Sequence, residues 1–527
     1  MIDDCQDDSQ AIRYVCISDT HMGEEDSLFT ALSNGVVDCK NPSPVLVELI
    51  KCLRYLFSEY EHQGDVKPTL ILNGDILEMA LCDIHQSATV FDRFLDLTMP
   101  NGNEIFDKMV YVPGNHDQHI WEMARATQYS DYLMRYPDLD AQAPDFIFEP
   151  PWHKTNIFME LNHGGSNYIP DSYFLNAIIS RYKDKKSIRE KKHSSEFKIW
   201  VVYPNFGILS KDEKKCVLVH HGHFAEPKYR LMSTLNNLIN EVHDNMPTDI
   251  DELQRENFAW IEFFWSMLGR SGRVGETVES LWEQILDEKH SRAIARKLAR
   301  IIFNSLNLPG KDNSIANSIL YGVADFLVNH IEQQERHEKT YSMSPEMTQQ
   351  LACYLKYPLW NQMRKELKGI GRAAERMPEK TALIMGHTHK PVQQEMDLIY
   401  PVESISVYNT GGWVIDKPNP NPIYGGAIAL IDGSLNVALI EMFREACKED
   451  EKRYSPIESD PEKRCRQRVV LSREGSMKND LTERLKDLIE PSESPWREFS
   501  AVAADEMTIR EKNISKRLGV LEQDNSE

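Results

Sequence analysis

Five apolar runs in this 527-residue chain end in side chains that can bind a metal or move a proton. Asp19 and His21 follow AIRYVCIS, Asp75 follows TLILNG, and Asn115, His116 and Asp117 close MVYVPGNHD. His220, His221 and His223 close KCVLVHHGH, and His387 and His389 end TALIMGHTH. One such residue alone caps a turn more often than it does chemistry. Five decorated strand ends together read as one site. Carboxylate, imidazole and amide are hard to borderline ligands that suit Mn²⁺, with Fe or Zn²⁺ as alternatives, and there is no Cys-x-x-Cys pair for a thiolate site. A single ion does not need so many ligands. They fit two divalent ions about 3.5 to 4 Å apart, bridged by one carboxylate and holding a hydroxide in line with a phosphorus atom.

Such a site needs strands that end at a common edge. AIRYVCIS, TLILN and MVYV read as buried strands, and the segment between the first two places Leu46, Leu49, Ile50, Leu53, Leu56 and Phe57 at helical spacing. Strand, helix, strand, intervening segment, strand is an α/β order, in which ligands sit beyond the carboxyl ends of the strands. SISVYNTGGWV and GGAIALIDGSLNVALI add strands, the second predicted to turn at Asp432 and Gly433. Residues 225 to 375 are predicted to be mainly helical, with Ile261, Phe264, Trp265 and Leu268 on one apolar face. An insertion beside the site explains a block of that length between two histidine motifs. Beyond residue 445 the chain is charged, and apart from LTERLKDLIE as one short helix its proline, serine and acidic content predicts loose packing.

With 60 basic and 82 acidic residues the formal charge is −22, which argues against a protein that lives by non-specific attraction to nucleic acid. Nine cysteines, an odd count, argue against a disulfide scaffold and suggest small buried hydrophobes in a reducing compartment. The opening MIDDCQDDSQ does not resemble a cleaved secretory signal, and no stretch approaches the roughly 20 apolar residues of a membrane crossing. The expectation is a soluble cytoplasmic protein.

The motifs, in this order, resemble those of the calcineurin-like metallophosphoesterase superfamily: Asp-x-His at 19 and 21, Gly-Asp at 74 and 75, Gly-Asn-His-Asp at 114 to 117, a later strand-end histidine, and Gly-His-x-His at 386 to 389. The resemblance implies a β-sandwich flanked by helices, αββα, with the helical block inserted. It divides the chain into an N-terminal tail (1–10), a first core part (11–224), the insertion (225–375), a second core part (376–445) and a charged C-terminal extension (446–527). It implies two divalent ions, one held by Asp19, His21, Asp75 and His389, the other by Asp75, Asn115, His387 and one histidine of the 220–223 cluster. His221, directly followed by glycine, is the first choice for that ligand, with His220 and then His223 behind it. His163 reads as a loop residue. His116 would hydrogen-bond a phosphate oxygen or protonate the leaving alkoxide, and Asp117 would orient His116. GDILEMA, with Glu78, is similar to the Gly-Asp-Leu-Phe-Glu run of the UDP-2,3-diacylglucosamine hydrolase-like branch, although Glu78 also suits the start of a helix.

The expected reaction is hydrolysis of a phosphodiester, pyrophosphate or phosphomonoester bond with no phosphoenzyme. The expected substrate is a small-molecule or lipid-linked phosphate. The insertion would carry selectivity, through aromatics such as Trp260, Phe263, Phe264, Trp265 and Trp282, through Lys228 and Arg230, or through a basic face at 292–302 that could meet a membrane surface. Two other readings remain: a nuclease, disfavoured by charge, and a scaffold with a spent site.

Overall fold

The computed structural model describes residues 9–100, 103–135, 172–179, 199–210, 214–239, 246–267, 340–369, 378–398, 404–446, 468–469 and 479–524. His163, Trp282 and the basic face at 292–302 lie outside them.

Two sheets form the centre. The strands are β1 (Ile12–Ile17), β2 (Thr69–Asn73), β3 (Lys108–Val112), β4 (Ile199–Val201), β5 (Asn205–Leu209), β6 (Lys215–His220), β7 (Lys380–Met385), β8 (Pro391–Asp397), β9 (Ser404–Thr410), β10 (Gly425–Asp432), β11 (Val437–Arg444) and β12 (Arg468–Val469). One sheet has 7 strands in the order β12-β11-β10-β1-β2-β3-β4, the other 5 in the order β8-β9-β7-β6-β5. Alternation decides how they stack, because successive side chains point to opposite faces. Cys16, Ile71 and Val110 of the first sheet join Val217, Val219 and Ile384 of the second in one buried cluster, which makes a sandwich. Val15, Ile17, Leu70 and Leu72 belong to the other cluster, with the helices. Strands buried on both faces read as continuous apolar runs, which is how they look in sequence.

Helix α1 (Pro44–Glu59) starts where Ser43 caps the Leu46 N–H and Pro44 occupies the first turn, and it buries Leu46, Leu49, Leu53 and Leu56. Helices α2 (Ile84–Thr98) and α3 (His119–Arg135) follow β2 and β3. The described parts of the insertion are helical: α4 (Leu231–Ile239), α5 (Ile250–Ile261) running into a π-turn (Glu262–Met267), α6 (Pro345–Tyr354) and α7 (Trp360–Gly369). No helix among the described residues is long and apolar enough to cross a membrane.

The C-terminal extension differs from its expectation. Helix α8 (Asp480–Leu485) opens with a capping box between Asn479 and Thr482, and α9 (Trp496–Asp524) lies along α1. Trp496, Phe499, Ala503 and Met507 are buried, and Arg510 is fully buried while donating to the Ser27 and Thr30 carbonyls at 2.9 and 2.6 Å. Apolar residues every three or four positions seat this helix, and a high charge content conceals that spacing when only composition is read.

Candidate metal centre

β1, β2 and β3 run parallel in one sheet, and β6, β7 and β9 run parallel in the other. The loops after these strands bring the sequence motifs to one edge of the sandwich. Asp19 N–H donates to the Gly74 carbonyl at 2.9 Å, His21 N–H to the Asp75 carbonyl at 2.9 Å, and Gly386 N–H to the His221 carbonyl at 2.8 Å. The Asp19 carboxylate accepts from His387 N–H at 2.9 and 3.0 Å, and Asp75 Oδ1 accepts from His116 N–H at 2.8 Å. Among the described residues, seven non-glycine residues have a left-handed φ, and five of them are Asp19, His21, Asp75, His387 and His389. Such backbone is sparsely populated, and its concentration here marks a site whose side-chain directions outrank local comfort. Two glycines leave the room: a Cβ on Gly386 would land on the Asp19 carboxylate, and one on Gly74, whose φ is +79°, would meet the His221 ring.

Among the described residues three groups of possible ligating atoms converge. Asp19, His21 and His389 form one, Asp75, His221 and His387 a second, and His21, Glu78 and His116 a third that Glu78 joins by hydrogen bonds to both rings, with the atoms of each group all within 4.8 Å of one another. All eight residues are buried. Each imidazole is held from its outer side. His21 Nδ1–H donates to Glu78 at 2.8 Å, His221 Nδ1–H to the Asn73 carbonyl at 3.1 Å, His387 Nε2–H to Glu226 at 3.1 Å, and His389 Nδ1–H to Asp416 at 2.9 Å. That arrangement fixes the tautomer each ring takes when neutral, with the inner nitrogen as the lone pair. The inner atoms His21 Nε2, Asp75 Oδ2, Asn115 Oδ1, His221 Nε2 and His387 Nδ1 are buried and make no hydrogen bond. Orphaned buried polar atoms are costly, and those of His21, Asp75, His221 and His387 lie close together, which points to a cation they were built to meet.

Electrostatics agrees. Burial holds His21 below the usual imidazole range and pushes His387 down to about 4, so both are neutral and able to ligate. At His221 burial works the other way from its surroundings, and the Asp75 and Asp19 charges win, raising it to about 9. Burial opposes charge at Asp75 as well, but His221, His116 and His21 hold its carboxyl well below the ordinary range. His221 Nε2 lies 3.1 Å from Asp75 Oδ2, close enough for strong charge attraction. A cation would take the place of the proton that the Asp75 and Asp19 charges hold on His221.

The three histidines of the cluster take different places. His221 joins Asp75 and His387; His220 instead stacks on Tyr354 with centroids 4.7 Å apart, and His223 Nε2 pairs with the Tyr203 hydroxyl at 3.0 Å. The expected orienting role of Asp117 is corrected. Its carboxylate accepts from the Gly114 and Ile76 N–H groups at 2.6 and 2.8 Å and from the Tyr111 hydroxyl at 2.5 Å, so it fastens the loop. The carboxylate on His116 Nδ1 belongs to Glu78, at 2.9 Å. Nor does Glu78 begin a helix: α2 starts at Ile84 behind the Asp83 cap, and Glu78 Oε1 accepts from the Ala80 and Leu81 N–H groups at 2.7 and 2.8 Å.

The insertion touches the site directly. Ser266 Oγ donates to the His116 carbonyl at 3.2 Å and accepts from His119 N–H at 3.1 Å, while His119 Nδ1 pairs with Glu262. Tyr229 lies edge-on to His387 with centroids 5.1 Å apart, and Trp265 packs on Tyr229 at 5.0 Å. Lys228 and Arg230, offered from the sequence as carriers of selectivity, are buried: Lys228 pairs with Glu226 at 2.8 Å and Arg230 with Gln350 at 2.6 Å. Sequence reasoning did not single out Glu226, Asp416 or Ser266. None lies in a ligand motif, and only the fold shows that they back one.

No curated protein matches the chain. The family model for calcineurin-like phosphoesterase matches residues 12–259, which takes in four of the five strand-end motifs. The fifth, at 386 to 389, lies outside that match, and the fold carries it to the same edge, where His389 Nε2 stands 3.5 Å from Asp19 Oδ1. A shared motif order, a helix-flanked two-sheet sandwich and converging ligand groups thus agree with the match of residues 12–259 to the calcineurin-like phosphoesterase family.

Proposed function

We propose that the protein is a metal-dependent phosphohydrolase that cleaves a phosphodiester or pyrophosphate bond of a small-molecule or lipid-linked substrate. The observation that carries this reading is the set of imidazoles held by their outer N–H groups, with the inner ligating atoms left orphaned in a common pocket. In this reading Asp19, His21, Asp75 and His389 would hold one ion, and Asp75, Asn115, His221 and His387 would hold the other. Two divalent cations, with manganese the proposed metal, would supply positive charge for the phosphoryl oxygens and acidify a water molecule.

The chain's own groups do the rest. Water oxygen attacks phosphorus in line with the departing oxygen, whose bond to phosphorus breaks, and the water's proton passes to solvent. His116, as the imidazolium with its Nδ1–H on Glu78, gives the departing oxygen its Nε2 proton and takes one back from solvent before the next turnover. Glu78 stays anionic throughout: burial opposes its charge, but His116 and His21 pull its carboxyl down to about 2. The packed elements around His116, including Ser266 of the insertion, hold it against wandering.

The test compares bis-p-nitrophenyl phosphate with p-nitrophenyl phosphate in the presence of Mn²⁺, beside EDTA and Asp75→Asn. Diester hydrolysis should need metal and fall at least about 10²-fold in the variant. Two bound ions with no turnover of any phosphate ester would favour the spent scaffold, and salt-sensitive cleavage of DNA would favour the nuclease.

A further inference from the structure

One ligand of the second ion position is held by the insertion. His387 comes from the loop after β7, but the acceptor for its Nε2–H is Glu226, which sits in the bend between two short helical turns, His223–Ala225 and Pro227–Arg230. Glu226 is 7% exposed and its carboxylate also meets Lys228 Nζ at 2.8 Å. Lys228 is fixed in turn by the aromatic floor of the insertion. Its Nζ lies 5.0 Å from the Tyr229 ring centre and 5.4 Å from that of Trp265, and its carbonyl accepts from Trp260 Nε1–H at 2.8 Å. A line of contacts therefore runs from the α5 helix and its π-turn, through Lys228 and Glu226, to the outer nitrogen of His387.

Resting on the two-ion reading above, we propose that Glu226 is a positioning residue by which the helical insertion sets occupancy of the Asp75, Asn115, His221 and His387 position. An imidazole can present either nitrogen, and a carboxylate on Nε2–H leaves Nδ1 as the lone pair and fixes the ring plane. His387 Nδ1 is buried and makes no hydrogen bond, as a nitrogen reserved for a cation must be. The Asp19, His21 and His389 position takes its support from Glu78 and Asp416 instead, so the insertion's hold falls on one position and not on both. Seating the insertion and filling the second position then become one event.

The experiment is Mn²⁺ uptake by the full chain, followed by calorimetry and metal analysis, with the coupled-pair paramagnetic resonance signal as a second readout. In the parent two ions should bind. Glu226→Ala should weaken one of them about 10- to 100-fold while the other keeps its affinity, and should lose the coupled-pair signal at limiting metal. Glu226→Gln, which retains an acceptor of the same shape, should show a smaller loss at the same position. If Glu226→Ala does not fold, judged by circular dichroism, Glu226→Gln and Lys228→Met decide by the same binding curves. A folded variant with both ions bound as in the parent overturns the proposal, and so does an equal loss of both ions, the mark of a general structural role. A parent that binds fewer than two ions overturns the two-ion reading with it, whereas a two-ion parent with unaffected variants overturns only the role of Glu226.

Discussion

Glu78 Oε2 lies 2.9 Å from Nδ1 of His116, and the same oxygen lies 2.8 Å from Nδ1 of His21. One carboxylate thus orients both the imidazole proposed as a metal ligand and the one proposed to protonate the leaving group. Glu78→Gln removes the charge and should lower kcat by roughly 10- to 100-fold. The loss should be larger for an alkyl ester than for a p-nitrophenyl ester, whose leaving group departs without help. Equal losses for both would mean that Glu78 acts through the metal ligand alone.

Metal uptake should depend on pH with a definite sign. His221, raised to about 9 by Asp75 and Asp19 against its burial, holds a proton that a cation must displace. Below that value, binding one ion releases about one proton, so apparent affinity should tighten about tenfold per pH unit as pH rises toward 9 and then level off. Calorimetry in buffers of different ionisation enthalpy measures the released proton directly. At an ion concentration about 100 times the dissociation constant, stabilisation should approach 2.7 kcal/mol, seen as a rise in Tm that Asp75→Asn abolishes. A Tm indifferent to Mn²⁺ at any pH would rule out ligation by these atoms.

The site was more legible than its support. Asp19, Asp75 and His387 each end an apolar run, and ends of buried strands are visible in one sequence because strand residues share a period and ligands interrupt it. Which of His220 and His221 turns inward depends on a single residue of strand length, and here β6 stops at His220. Side chains that back a ligand carry no such mark. Glu226 lies five residues beyond His221 and touches His387 from the far side, a pairing made by the sheet order rather than by spacing. The same reasoning explains Asp117, for which the resemblance implied a contact with His116 that the turn of the loop instead assigns to Glu78. For the α9 helix the signal was present, in Trp496, Phe499, Ala503 and Met507, but overall charge outweighed it.

Arg510 should prove structural. It is fully buried, donates to the Ser27 and Thr30 carbonyls and pairs with Glu506 at 2.6 Å, so it ties α9 to the segment that follows His21. Arg510→Met fills the volume but withdraws the donors, and should cost about 2 to 4 kcal/mol in urea unfolding. A cost below about 0.5 kcal/mol would place Arg510 with the dispensable surface residues.

Glu445 gives a stability prediction away from the ligands. It is buried, its Oε2 accepts from Asn421 N–H at 3.0 Å, and burial, with the Asp416 and Glu511 charges adding, pushes its carboxyl well above the usual range. A raised folded-state value means that the folded chain binds the proton more tightly than the unfolded chain. Its contribution is therefore complete below the unfolded value of about 4.3 and is lost as pH rises through the folded value, at about 1.4 kcal/mol per pH unit inside that window. Glu445→Gln keeps the acceptor and carries no charge to bury. The variant should match the parent in Tm near pH 4 and exceed it progressively toward pH 8. A constant difference across that range would show that the carboxyl is as easily ionised in the folded chain as in the unfolded one.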